Sequence, residues 1–216
     1  MIAAIVNPTS ASGKTGKEWS AIQSALESEL GKINVFLTEN QLHAVELTRQ
    51  ALELGAKTVI SVGGDGTLNE VVNGFFEDGN PLNRTATLAV ISRGTGADFV
   101  RSCAFPDTLQ EIAYAIKTGI PQPCDVIRAT LKPVDGALRE RYVINVADVG
   151  VGGLVVNFVN GSSKYLGGTL SFFLASLRAT LWEYKNVPLR IELDGELISE
   201  NIPHYFVAIA NGSYFG

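Results

Sequence analysis

Four short apolar runs, spaced by stretches of helical periodicity, fill the first half of this sequence and restrict its fold more than any other feature. Ile2–Val6, Ile33–Leu37, Thr58–Val62 and Thr87–Ile91 are rich in β-branched residues and too short for ordinary helices, so they read as buried strands. Between them, Trp19, Ile22, Leu26 and Leu30 recur at helical spacing. Leu42, Val45, Ala51 and Leu52 do the same before Gly55, a helix stop, and Leu68, Val71, Val72 and Phe75 share one face of a third helix. The pattern predicts a β-α-β-α-β-α-β unit, a parallel sheet covered by helices in three layers.

After a helix near Asp107–Lys117, Gly119-Ile120-Pro121-Gln122-Pro123 breaks the rhythm, and a domain boundary is expected there, dividing 1–122 from 123–216. Strand-like runs follow at Asp125–Leu131, Tyr142–Val149, Leu189–Leu193 and Tyr205–Ala210, with a turn at Asp194-Gly195 between the last two. They predict an antiparallel second domain with a helical insertion at roughly 153–185. Within it, Leu166 to Trp182 is apolar but carries Arg178, Gly167 and Gly168, so a buried helix is expected rather than a membrane span.

Composition removes several function classes. A net charge of -5 with no Lys/Arg run argues against nucleic-acid binding, which needs a concentrated cationic face. Cys103 and Cys124 lack CxxC spacing, which suggests neither zinc nor a disulfide framework, and a reducing cytoplasm is the expected location. The opening Met1-Ile2-Ala3-Ala4-Ile5-Val6-Asn7-Pro8 has no basic region and reads as a strand entering a turn, not a signal peptide. His43 and His204 are the only histidines, so histidine-based catalysis and metal binding have little to draw on.

The third strand runs directly into Gly63-Gly64-Asp65-Gly66-Thr67, and a helix starts at once. Strand, glycine loop and helix start form an anion site: glycines admit positive φ and close backbone approach, while unpaired amides and the helix dipole face a phosphate. Open α/β sheets bind ligands at this strand end. Thr67 with Glu70 also fits a capping box. Asp65 is the acidic group of the loop, suited to meeting Mg²⁺, accepting the proton of an attacking hydroxyl, or stabilising the turn. Gly94-Thr95-Gly96 repeats the strand-then-glycine design one strand later, so two loops could face one nucleotide. Asn7-Pro8 through Ser12 and Gly13-Lys14-Thr15 suggests a P-loop, but Pro8 stands where that motif needs glycine.

Taken together, Asn7-Pro8, Gly63-Gly64-Asp65-Gly66-Thr67-Leu68-Asn69-Glu70-Val71 and Gly94-Thr95-Gly96-Ala97-Asp98-Phe99 resemble the diacylglycerol kinase catalytic domain of bacterial lipid kinases and sphingosine kinases. The resemblance extends over essentially the whole chain and implies a nucleotide-binding α/β domain followed by an antiparallel β-sandwich, with ATP in the cleft. By carry-over, Asn7, Pro8, Ser12, Thr38, Gly63, Gly64, Asp65, Gly66, Thr67, Leu68, Asn69, Gly94 and Thr95 would line the nucleotide site. Asp65 would be catalytic, and ATP with Mg²⁺ would be the cofactors. Two departures stand out. Ala97 precedes Asp98 where the family usually has asparagine, and the sequence stops at Gly216, just after a strand, so an incomplete sandwich is expected.

The function implied is an ATP-dependent lipid kinase acting on a hydroxyl of diacylglycerol, a sphingoid base or a related lipid. Transient contact with a membrane surface would follow, without a transmembrane segment. Leu170-Ser171-Phe172-Phe173-Leu174 is a candidate acyl-chain lining. The alternatives are a nucleotide-binding or regulatory relative without turnover, and an NAD kinase, which looks similar at Gly63–Thr67 but carries its Asn-Glu pair in a later segment.

Overall fold

The structure, a computed structural model, describes residues 1–94, 96–103, 105–133, 136–153 and 184–214. The first part runs β1 (Ile2–Val6), α1 (Lys14–Leu30), β2 (Ile33–Leu37), α2 (His43–Glu53), β3 (Thr58–Gly63), α3 (Asp65–Gly74), the short pair β4 (Phe76–Glu77) and β5 (Asn80–Pro81), and β6 (Thr87–Ser92). Next come α4 (Asp98–Ser102), α5 (Leu109–Thr118), β7 (Ile127–Leu131) and β8 (Arg139–Val143). The later strands are β9 (Val146–Gly150), β10 (Val187–Leu193), β11 (Glu196–His204) and β12 (Phe206–Ala210).

The four expected strands form one parallel sheet in the order β2-β1-β3-β6. Period-two alternation along β1 sends Ala3 and Ile5 to one face and Ala4 and Val6 to the other. On the first face they meet Ala44, Ala51 and Leu52 of α2 and Val71 of α3; on the second they meet Ile22 and Leu26 of α1 and Ala113 of α5. The chain steps outward from β1 to β2, then reverses through β3 to β6. Right-handed crossovers therefore place α1 on one face and α2 and α3 on the opposite one, which is why both faces of the sheet are apolar. The reversal opens a crevice at the carboxyl ends of β1 and β3.

The helices expected before the second domain are present, with two differences. Leu42 does not join the buried face of α2: it is the residue before the helix, with φ 67, and it is exposed. The helix near Asp107 begins at Leu109, because Thr108 and Glu111 form a reciprocal capping box. The hydrogen bond from the Thr108 hydroxyl, followed by its backbone N–H, holds the Glu111 carboxyl below its ordinary pKa.

Asn73 closes α3 against β8. Its amide donates to the Tyr142 carbonyl at 2.7 Å and accepts from the Tyr142 N–H at 3.0 Å, as a neighbouring strand would. One turn earlier, Asn69 accepts from the Ile144 N–H at 3.4 Å. The run expected as one strand from Tyr142 to Val149 is consequently two strands, β8 and β9, parted at Ile144-Asn145.

The chain forms two compact units, Met1–Asn145 together with the segment from Asn211, and Val146–Ala210. In the second unit β12 pairs antiparallel with β9, and β10 with β11. The Asp194-Gly195 turn, with φ 54 and 85, is a two-residue hairpin joining β10 to β11, not to the final strand as expected. Pro203 and the left-handed Asn201, with φ 54, obscure the strand pattern of β11 in the sequence. The helical insertion expected at 153–185 and the Leu170–Leu174 lining fall, but for the ends of that span, outside the described residues.

Candidate functional site

Because the sheet is parallel, the segments after β1, β2, β3 and β6 emerge at one edge, and hydrogen bonds continue the ladder past the strand ends. The Asn7 N–H donates to Val62 at 2.9 Å, the Thr38 N–H to Val6 at 2.9 Å, and the Arg93 N–H to Gly63 at 2.6 Å. Side chains reinforce this seam. The Asn7 amide donates to the Thr67 hydroxyl at 3.0 Å across the β1–β3 crevice, while its oxygen accepts from the Thr9 N–H at 3.0 Å. The Ser10 hydroxyl donates to the Asn7 carbonyl at 2.8 Å. Pro8 lies against Gly16, where an added Cβ would meet the Pro8 carbonyl oxygen at 3.0 Å. Ser12 is exposed, on left-handed backbone with φ 56.

Of the two reasons expected for the glycines, positive φ is absent and close approach is present. None of Gly63, Gly64 or Gly66 has positive φ; what the loop requires is space. An added Cβ on Gly63 would lie 2.5 Å from the Thr67 hydroxyl, and one on Gly94 would lie 2.8 Å from the Gly64 Cα, so the two glycine loops touch backbone to backbone. A Cβ on Gly66 would meet nothing within 4 Å. Helix α3 starts at Asp65, and the Leu68 N–H makes the first bond of the turn, to Gly64 at 3.0 Å. The amides of Asp65, Gly66 and Thr67 thus occupy the helix positions that lack an intrahelical acceptor, beside the open space over Gly66.

This early start overturns the capping box at Thr67 and Glu70. The Thr67 hydroxyl is engaged by Asn7, and Glu70 accepts from the Ala44 N–H at 3.3 Å, so it serves the start of the neighbouring α2. Leu68 is buried with Val72, Val90 and Phe99. Asn69 holds Ile144, as described above.

Two carboxylates flank Gly96: an added Cβ there would lie 3.0 Å from Asp65 Oδ2 and 3.8 Å from Asp98 Oδ1. Asp98 also faces Arg101 Nη1 at 3.5 Å, and the Arg101 guanidinium lies 4.5 Å above the Tyr214 ring. Ala97 adopts φ 55, a left-handed conformation that asparagine tolerates better than alanine. Thr95 falls outside the described residues.

The structure therefore gathers Asn7, Gly63, Gly64, Asp65, Gly66, Thr67 and Gly94 at one edge, with Thr38 on the neighbouring strand end. Sequence reasoning passed over three residues. Arg93 sits between β6 and Gly94 and pairs with Glu18 of α1. Asn73 takes a place in the helix that period alone assigns to a polar face. Asn211 donates to the carbonyls of Asp125 at 2.7 Å and Ile144 at 2.8 Å. An isolated polar residue inside an apolar stretch was the available signal for the last two.

Known proteins resemble this chain in sequence and fold. The profile of the diacylglycerol kinase catalytic domain matches residues 1–129. A diacylglycerol kinase of Bacillus subtilis is 28% identical over 208 residues, covering 96% of this chain and 64% of the relative. A Chromohalobacter salexigens protein described as "probable lipid kinase YegS-like" is 30% identical over 174 residues, covering 80% and 51%. The crystal structure of a diacylglycerol kinase-like protein of Bacillus anthracis agrees with a TM-score of 0.72 at 25% identity, covering all of this chain and 66% of that one. The chain spans between about half and two thirds of the length of these relatives. With more than half of its residues inside the family profile, this chain belongs to the diacylglycerol kinase catalytic domain family.

Proposed function

We propose that this chain carries the nucleotide-binding part of an ATP-dependent lipid kinase that transfers a γ-phosphate to a hydroxyl of diacylglycerol, a sphingoid base or a related lipid. The observation that carries this reading is the open space over Gly66 beside the three leading amides of α3. Phosphate oxygens fit there: backbone N–H groups and the helix dipole meet negative charge without a side chain in the way. The Asn7–Thr67 bond fixes the first turn of α3, so the amides are aimed before ligand arrives.

In the reaction, the lipid oxygen forms a bond to the γ-phosphorus as the bond to the bridging oxygen of ADP breaks, and the hydroxyl proton passes to a base. Asp65, one residue into the helix and beside Gly96, stands where it can accept that proton or hold a cation. A magnesium ion, when bound with the nucleotide, would supply charge neutralisation at the phosphates. Asp65 and Asp98 offer it hard oxygen donors, and no cluster of three or more His, Cys, Asp or Glu groups exists among the described residues. A partial protein shell completed by phosphate and water suits magnesium. No helix among the described residues is long and apolar enough to cross a membrane, so access to the lipid is proposed to be by surface contact.

With labelled ATP and acceptors in detergent, phosphate is expected on diacylglycerol or sphingosine; transfer to NAD alone would overturn the lipid reading. Asp65→Asn is expected to melt at the parent temperature while turnover falls at least about 100-fold. Unchanged turnover would reduce Asp65 to a turn residue.

A further inference from the structure

None of the residues assigned above to the phosphate site carries a positive side chain, and the chain as a whole is negative at -5. A nucleoside triphosphate brings several negative charges, so a cationic side chain beside the loop would add to what the backbone amides and magnesium supply. Arg93 is placed for this. Its N–H donates to the Gly63 carbonyl at 2.6 Å, tying it to the first residue of the loop, and the next residue, Gly94, lies against Gly64. Alternation along β6 puts Ala89 among the residues that face α1 and α5, and Arg93 continues on that side. There its Nη2 pairs with Glu18, in the second turn of α1, the helix that follows Ser12 and Gly13.

The pair is asymmetric. The Glu18 side chain is 51% exposed and that of Arg93 only 27%. Arg93 Nε is buried with no hydrogen-bond partner among the described residues. An ion pair with so exposed a carboxylate is weak, whereas a guanidinium on phosphate makes charge-assisted and often bidentate bonds about twice as strong as neutral ones. Glu18 can return to water with little loss, and phosphate oxygens can meet donors that Glu18 leaves unsatisfied.

We propose that Arg93 is a phosphate-binding residue of this site, held by Glu18 while the site is empty and transferred to a non-bridging phosphate oxygen when ATP binds. The proposal rests on the nucleotide-binding reading above. Calorimetric titration of the protein with ATP, ADP and AMP in magnesium tests it. Arg93→Gln is expected to weaken ATP about tenfold and AMP less than about twofold, since one charged hydrogen-bond set is lost and only at the distal phosphates. Glu18→Gln is expected to act in the opposite direction, tightening ATP a few-fold by releasing the guanidinium. A purely structural pair predicts instead that both variants lower the melting temperature and leave ATP affinity at the parent value, and that result overturns the proposal. Should Arg93→Gln fold poorly, Arg93→Lys and Glu18→Gln carry the comparison: ATP affinity falling in the first and rising in the second supports it, and no change in either overturns it. Parent protein that binds no ATP would defeat the nucleotide reading itself, an outcome separate from normal parent binding with unaffected variants.

Discussion

Gly63 and Gly66 stand three residues apart in one loop and meet different needs. A methyl on Gly63 collides with the Thr67 side chain, whereas a methyl on Gly66 points into open space. Gly63→Ala should therefore destabilise the fold by about 1–3 kcal/mol through overpacking. Gly66→Ala should leave stability equal or raise it by about 0.5–1 kcal/mol, because alanine is the better helix former, yet weaken ATP binding by filling the ligand's space. Thermal melts and nucleotide titrations on the two variants check both parts. Sequence reading placed these residues at the junction of a strand and a helix, and gave both positive φ and close approach as reasons for glycine, of which only the second applies. The crowding at Gly63 comes from a Thr67 side chain that Asn7, 60 residues away, holds by a hydrogen bond, and that partner leaves no local pattern.

At the scale of elements, α3 holds much of the first unit together. Its end passes so close to α2 that a Cβ on Gly74 would lie 2.4 Å from the Thr48 Cβ and 2.7 Å from the Val45 carbonyl oxygen. Thr48 is buried, with its hydroxyl donating to Ala44 at 2.7 Å, so it has no room to yield. Gly74→Ala is expected to cost about 2–3 kcal/mol in urea denaturation, although alanine is the better helix former. The helices of the sheet domain were legible because each buries one stripe. The boundaries that failed, at Leu42 and between β8 and β9, are set by partners from elsewhere in the chain: Glu70 serves the start of α2, and Asn69 and Asn73 redirect the chain after Tyr142.

Over the whole molecule, the parallel sheet and its layers were readable from apolar periodicity, which both faces of a buried sheet enforce. The antiparallel pairs were only half readable, since pairing β12 with β9 joins segments about 60 residues apart and no local signal encodes it. Stability of the later unit should also depend on pH through Asp148 on β9. Its Oδ1 is buried without a hydrogen-bond partner among the described residues, and burial pushes its carboxyl pKa up. A raised pKa in the folded state favours folding while the group is protonated, and this contribution is lost as pH rises through the folded value. Asp148→Asn is thus expected to melt higher than the parent at neutral pH, with the two curves converging under acid conditions where both side chains are neutral.

The amide clasp of Asn73 on Tyr142 has a consequence for solubility. A strand whose outer N–H and C=O groups face water is a template on which another chain can add. By engaging both groups of Tyr142, a helix side chain closes that position on the β8 edge of the two-stranded β7–β8 ribbon without adding a strand.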